Sequence, residues 1–178
     1  RRINKMFYTG RGDNGRTSVF NCKKFSKSSP RIEALGALDE LNSFLGVCKT
    51  RSKNVEHSVF NILEKVQNDL FVIQAEIGGT KKRLDKFRIT ELERAINDFG
   101  KELPKIKKFT LSGGTEFSAL LDYARAVARR VERRVVGLGP KKVNLESLKY
   151  LNRLSSLLYV LARQANNNRG IKEKKPRY

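Results

Sequence analysis

A chain of 178 residues with 39% hydrophobic and 31% charged residues holds enough apolar material for one packed domain, and one domain is expected. No apolar run approaches the ~20 residues of a membrane helix. No apolar segment of signal-peptide length follows Arg1-Arg2-Ile3-Asn4-Lys5-Met6, so a helical membrane protein is excluded and a soluble, cytoplasmic one expected. The chain starts without Met, and a few residues are expected ahead of Arg1.

The 38 basic residues outnumber the 18 acidic ones, a formal charge of +20 that calls for an anionic partner. Nucleic acid is the generic reading of such a charge. The charge is uneven, however. Residues 1–27 carry eight basic side chains (Arg1, Arg2, Lys5, Arg11, Arg16, Lys23, Lys24, Lys27) against Asp13 alone, and 169–178 carry five against Glu173. Both ends could be solvated tails, or could gather a polyphosphate or an anionic cofactor. Cys22 and Cys48 stand far apart, outside any CxxC spacing, and His57 is the single histidine, which argues against a Cys/His metal site. A structural disulfide is not expected in a reducing compartment.

Residues 1–29 form a polar arm rich in Gly, Asn, Ser and Lys, with no convincing alternating strand. Such an arm gains little from burial in its own subunit, so it is either disordered or ordered by a ligand or a neighbouring chain. From Pro30 the pattern turns helical. Residues 31–49 repeat Ile32, Leu35, Leu38, Leu41 and Leu45 at three-to-four spacing. Residues 57–77 follow with Val59, Ile62, Val66, Leu70, Ile73 and Ile77, stopped by Gly78-Gly79. Residues 89–103 carry Ile89, Leu92, Ile96, Phe99 and Leu103 before Pro104, and 115–137 and 144–167 each carry a wide apolar stripe. The expectation is all-α: a five-helix bundle over 30–168, an irregular N-terminal arm and a basic tail at 169–178.

Four constellations carry chemistry. Tyr8-Thr-Gly-Arg-Gly-Asp-Asn-Gly-Arg-Thr-Ser18 contains a formal GxGxxG, but no strand precedes it and no helix follows, as a dinucleotide fold requires. No Gly-Lys-Ser/Thr closes a P-loop either. What remains is glycines that let backbone N–H groups approach an anion, hydroxyls from Thr9, Thr17 and Ser18, and charge from Arg11, Arg16 and Lys27. On composition alone a plain flexible arm stays open. On 115–137, Arg125, Arg129 and Glu132 or Arg133 share a helical face opposite Leu120, Leu121, Ala124, Val127, Ala128, Val131 and Val135. A solvated basic face is the bland reading. Against it, every basic position within 125–134 is Arg, the side chain that forks onto phosphate. Asp39-Glu40-Leu41-Asn42-Ser43 puts an Asp amid an apolar helix, where it needs a partner such as Arg125. Asn152, with Arg153, Ser155 and Ser156, is either a ligand-facing amide or a core or interface one.

Five segments in order resemble the cobalamin adenosyltransferases of the propanediol-utilisation type. They are Tyr8–Ser18; Pro30-Arg-Ile-Glu-Ala-Leu-Gly-Ala-Leu-Asp-Glu-Leu-Asn-Ser43; Phe109-Thr-Leu-Ser-Gly-Gly-Thr115; Ala124-Arg-Ala-Val-Ala-Arg-Arg-Val-Glu-Arg-Arg-Val135; and Tyr150-Leu-Asn-Arg-Leu-Ser155. The likeness runs from about Phe7 to Asn166. It implies a homotrimer with ATP between neighbours, and a reaction in which cobalt(I) of a reduced corrinoid attacks the ribose C5′ of ATP and triphosphate leaves. It implies Mg²⁺ or another divalent cation with the nucleotide, a reductase to supply the electron and an adenosylcobalamin-dependent enzyme as recipient.

By the same resemblance, Thr9, Gly10, Arg11, Gly12, Thr17, Ser18 and Lys27 line the phosphates. Arg129, Arg130, Val131, Glu132, Arg133 and Asn152 sit with ATP, and Arg129 neutralises charge on the leaving triphosphate. Asp39 and Arg125 form a salt bridge across the subunit interface, and Phe109 crowds the lower face of cobalt. The chain departs from the family pattern at Gly10, where Lys or Arg is usual, at Ser112 in place of Pro, and at Ser156 in place of an acid. The rival readings are a corrinoid- or ATP-binding protein without turnover, and a basic nucleic-acid-binding protein. The latter lacks Trp and any recognised base-reading motif.

Overall fold

The computed structural model of the chain describes residues 8–20, 23–52, 57–105 and 109–177. Arg1, Arg2, Lys5 and Cys22 of the charge and cysteine counts lie outside the described residues. Five helices follow a short hairpin: β1 (Arg16–Ser18), β2 (Lys24–Ser26), α1 (Pro30–Ser52), α2 (His57–Ile77), α3 (Lys86–Gly100), α4 (Glu116–Val136) and α5 (Leu145–Asn167). The five-helix expectation holds. The arm differs from it, because β1 and β2 pair antiparallel with Thr17 opposite Phe25. Three residues per strand are too few for alternation to register against a polar background.

Local chemistry sets the helix ends. Proline opens α1, where its missing N–H costs nothing. The Asp85 carboxylate accepts from Phe87 N at 2.7 Å and starts α3 three residues earlier than the apolar spacing indicated. The Thr115 hydroxyl and the Asn144 side chain cap α4 and α5 in the same way. At the end of α2, Gly79 turns at φ +96°.

Periodicity then decides the packing. The stripe Leu121, Ala124, Val127, Ala128, Val131 and Val135 of α4 is buried, facing Leu38, Leu41 and Leu45 of α1 and Leu151, Leu154 and Leu158 of α5 in one core. Neighbours run α2–α1–α4–α5–α3, so α4 is central, flanked by α1 and α5. Each buried Leu contributes about 1.5–3 kcal/mol by leaving water. Cys48 lies in this core, and burial pushes its thiol up to about 12.

Polar bridges close the ring of helices. The buried Tyr150 hydroxyl of α5 donates to Asp69 Oδ2 of α2 at 2.9 Å, and Arg88 of α3 lies 3.4 Å from Asp69 Oδ1. Burial raises the Asp69 carboxyl above its ordinary range despite Tyr150 and Arg88, which pull it down. Glu76, at the end of α2, accepts from Asn144 N at 2.6 Å and Ser147 Oγ at 2.7 Å, fixing the start of α5. The bundle therefore has two distinct ends. One gathers the starts of α1 and α5 with the ends of α2 and α4, joined by Glu33–Arg134 and Glu76–Asn144. The other gathers the start of α4 with the ends of α1 and α5, joined by Arg51–Glu116 and Thr115–Asn166.

Candidate active site

The arm folds into successive turns rather than a strand–loop–helix. Asp13 N donates to Gly10 O, Gly15 N to Gly12 O, and Arg16 N to Asn14 Oδ1. Gly10 and Gly15 take φ of +70° and +76°, the left-handed region that costs a side-chain-bearing residue. The turns wrap a hollow of about 640 Å³ lined by Thr9, Arg11, Gly12, Asn14, Arg16, Thr17, Ser18 and Lys24. Lys27 reaches the same place, since its Nζ lies 3.2 Å from where a Cβ on Gly12 would sit. Hydroxyls, backbone and four cationic side chains thus converge around a hollow suited to a polyphosphate.

Two contacts seat this cradle at the first end of the bundle. The Phe20 ring lies over Gly78, where a Cβ would come within 2.7 Å of Cδ2, and the Arg31 guanidinium of α1 stands 5.1 Å from the Phe25 ring. Gly78 therefore does more than end a helix; it makes room for the arm.

On α4 the arginines divide into three kinds. Arg130 and Arg134 reach α1, pairing with Glu40 at 2.5 Å and Glu33 at 3.2 Å, and so stitch the two helices. Arg125, partly buried, pairs with Asp122 one turn back, Nε to Oδ1 at 3.3 Å. Arg129 and Arg133 are exposed and, among the described residues, pair with no carboxylate; Arg133 instead donates to the Arg129 carbonyl at 3.1 Å. Across on α5, Asn152 donates to Glu132 Oε1 at 2.8 Å and accepts from Arg153 at 2.7 Å. Arg153 in turn holds Glu93 of α3. Val131 is fully buried, so its side chain belongs to the core.

The structure thus brings together the cradle residues, and separately Arg129, Glu132, Arg133 and Asn152. It does not join Asp39 to Arg125 within the chain. Asp39 is exposed, in no ion pair among the described residues, and next to the Glu40 that holds Arg130. Phe109 is 80% exposed at the other end of the bundle, ahead of α4. Sequence reasoning missed Glu33, Glu40 and Asp122 as arginine partners. The Asp122/Arg125 spacing of three was legible; the Glu–Arg pairs between helices were not.

A helical bundle bearing a glycine-rich anion cradle and an arginine face on its central helix describes a nucleotide-handling protein. Comparison with known proteins makes the class specific. The family model for cobalamin adenosyltransferase matches residues 7–165, and the chain belongs to that family. It is 37% identical to the corrinoid adenosyltransferase PduO of Citrobacter freundii over 96% of this chain and 54% of that protein. It is 35% identical to the corrinoid adenosyltransferase of Mycobacterium leprae over 92% of this chain and 93% of that one. The chain spans about half the length of the PduO relatives it matches. Among solved structures, a variant PduO-type ATP:corrinoid adenosyltransferase from Lactobacillus reuteri, complexed with cobalamin and ATP, superposes with a TM-score of 0.91 at 30% identity. It covers 96% of this chain and 99% of that one. Among the described residues, no helix is long and apolar enough to cross a membrane.

Proposed function

We propose that the protein transfers the 5′-deoxyadenosyl group of ATP to the cobalt of a reduced corrinoid, forming adenosylcobalamin. The cobalt(I) electron pair makes the Co–C5′ bond, the C5′–O bond breaks, and its electrons leave with inorganic triphosphate. No side chain need move a proton. The chemistry asks for positioning and for dense positive charge where the triphosphate develops. The observation that carries the reading is the exposed pair Arg129 and Arg133, two guanidinium groups that among the described residues pair with no carboxylate, on the helix whose Glu132 accepts from Asn152. Unspent forks on a rigid helix are what a leaving polyphosphate needs.

The geometry supports the individual assignments. Thr9, Gly10, Arg11, Gly12, Thr17, Ser18 and Lys27 hold the phosphates, and Arg129 neutralises the leaving group. Arg130 and Glu132 already have partners, so they and the core residue Val131 shape the face around Arg133 and Asn152. Among the described residues no three His, Cys, Asp or Glu side chains converge, and the divalent cation is assigned to the nucleotide, as MgATP. Phe109 crowds the lower face of cobalt, displacing an axial ligand so that Co(II) is easier to reduce.

A homotrimer completes the site. The cradle sits on α1 and α2, the arginine face on α4 and α5, and a subunit interface brings the arm of one protomer to α4 of the next. A groove of about 760 Å³ between α1 and α4, with Phe44, Val47, Leu120, Tyr123 and Val127 in its wall, supports a buried assembly face there. Asp39 stands exposed on the same helix, available to Arg125 of a neighbour. A reductase supplies the electron, and an adenosylcobalamin-dependent enzyme consumes the product.

The test is anaerobic. Protein, MgATP and chemically reduced cob(I)alamin are mixed, the cobalt–carbon product is followed by its visible spectrum, and triphosphate is assayed. Equal amounts of product and triphosphate, from a species that sediments as a trimer, are expected. Tight ATP binding without product would replace the transferase with a binding protein. Neither binding nor product would turn attention to nucleic acid.

A further inference from the structure

The loop that carries Phe109 has no secondary structure of its own. Residues 109–115 are held by the last turns of α5 and the tail beyond it. Asn166, 1% exposed, presents both ends of its amide: Oδ1 accepts from Thr115 N at 3.0 Å, and Nδ2 donates to Gly113 O at 2.8 Å and Glu173 Oε1 at 3.2 Å. Gly114 makes space for that amide, since φ is +115° and a Cβ would lie 2.4 Å from Asn166 Oδ1. One turn earlier, the Arg163 guanidinium forms an ion pair with Glu173 and donates to Thr110 Oγ1 at 3.3 Å. The Leu111 N–H donates to the Lys174 carbonyl at 2.8 Å.

The pair is nearly dry, with Arg163 and Glu173 side chains 11% and 14% exposed. Glu173 is the single acid of a tail with five basic residues, and Lys172, Lys174 and Lys175 around it are exposed. A merely solvated tail gives no reason to bury its one carboxylate. Removing one partner of a buried pair strands the other charge, so the tail is held in place by its acid. What it is held against is the loop of Phe109, which it touches directly at Leu111 and, by way of Arg163 and Asn166 of α5, at Thr110 and Gly113.

We propose that Arg163 and Glu173 are positioning residues for the corrinoid: the tail, clipped to α5 through their ion pair, fixes the loop that presents Phe109. This rests on the assignment of Phe109 to the cobalt face. An ATP-side role is not part of it, because the contacts of Arg163 and Glu173 run to α5 and the 109–115 loop, not to the arginine face of α4. Three full-length proteins separate the possibilities: Glu173→Ala, Glu173→Gln and Phe109→Ala. Each is examined for amide hydrogen exchange over 109–115, for the EPR signal of cob(II)alamin with MgATP, which distinguishes axial ligation, and for KM of each substrate.

Glu173→Ala should speed exchange in the loop, raise the fraction of axially ligated cob(II)alamin, and lower kcat/KM for the corrinoid by about tenfold or more. That is within the scale of a small misplacement of reacting groups. KM for ATP should hold. Glu173→Gln, which keeps the acceptor for Asn166 but loses the charge, should fall between. Unchanged exchange in Glu173→Ala overturns the clip whatever Phe109 does. Faster exchange with an unchanged cobalt signal, while Phe109→Ala does alter it, overturns the positioning role. If Phe109→Ala leaves the cobalt signal unchanged, the Phe109 assignment fails, and the positioning role built on it fails as well.

Discussion

The arm and the central helix both present positive charge to the same kind of ligand, yet they are built on opposite principles. Between Thr9 and Lys27 the donors are backbone N–H groups, hydroxyls and four cationic side chains carried on short, largely exposed turns, seated by one aromatic ring over Gly78 and one guanidinium over Phe25. On α4 the donors are long side chains on a helix whose other face, Leu121 to Val135, is core. The cradle can adapt to a polyphosphate at small energetic cost, while Arg129 is held at a fixed height. On the proposed reaction, the contrast would give ground-state binding to the arm and charge neutralisation at the breaking bond to the helix.

The sharpest way to break that division is Arg129→Ala. Product formation should fall by about 10²–10³-fold, the range for removing one preorganised donor, with a smaller change in KM for ATP. Arg129→Lys should recover only part, since an ammonium cannot fork. If loss of Arg129 raised KM for ATP and left kcat alone, the helix would be another binding element and the comparison would collapse. A middle-sized effect is expected on the other side. Gly12→Val crowds the Lys27 ammonium, which already lies 3.2 Å from the Cβ position, and should raise KM for ATP severalfold with kcat nearly kept. Urea unfolding should be almost unchanged, because the cradle is outside the core.

The smallest effect concerns the scaffold that holds α5 level with α4. Burial raises the Asp69 carboxyl, so its contribution to stability is full below the ordinary carboxylate range and is lost as pH rises through the higher folded value. Asp69→Asn cannot ionise, and its amide oxygen can still accept from Tyr150. Urea unfolding should therefore show the variant gaining on the natural protein as pH rises above the ordinary aspartate value of about 4. A difference that stays flat, or moves the other way, would show that Arg88 outweighs burial at this site.

Much of the fold was legible because helices announce themselves locally. Leu38, Leu41 and Leu45, or Val127, Val131 and Val135, recur at the spacing that puts them on one face, and that spacing alone requires a partner surface. Boundaries were less so: the cap at Asp85 moved α3 toward the N-terminus, and a single Asp among charged neighbours carries little signal. The hairpin went unread, since its strands are three residues long.

For the site, the residue types by themselves indicated the chemistry. Glycines, hydroxyls and arginines in the arm and on α4 point to an anion through their own donor groups and charge, wherever the chain carries them. Which arginines remain unspent was decided only by folding. Arg129, Arg130, Arg133 and Arg134 are the same residue within six positions, and their helical angles do not reveal where the carboxylates of α1 will stand. Glu33 and Glu40 capture two of the four because α1 packs against that side of α4. In the same way Glu173, one acid in a basic tail, reads as solvent-facing until the tail folds back on α5 and Arg163 and Asn166 enclose it. Periodicity and composition act through a residue's own neighbours in sequence. Ion pairing between elements depends on which surfaces meet, and only the packed bundle determines that.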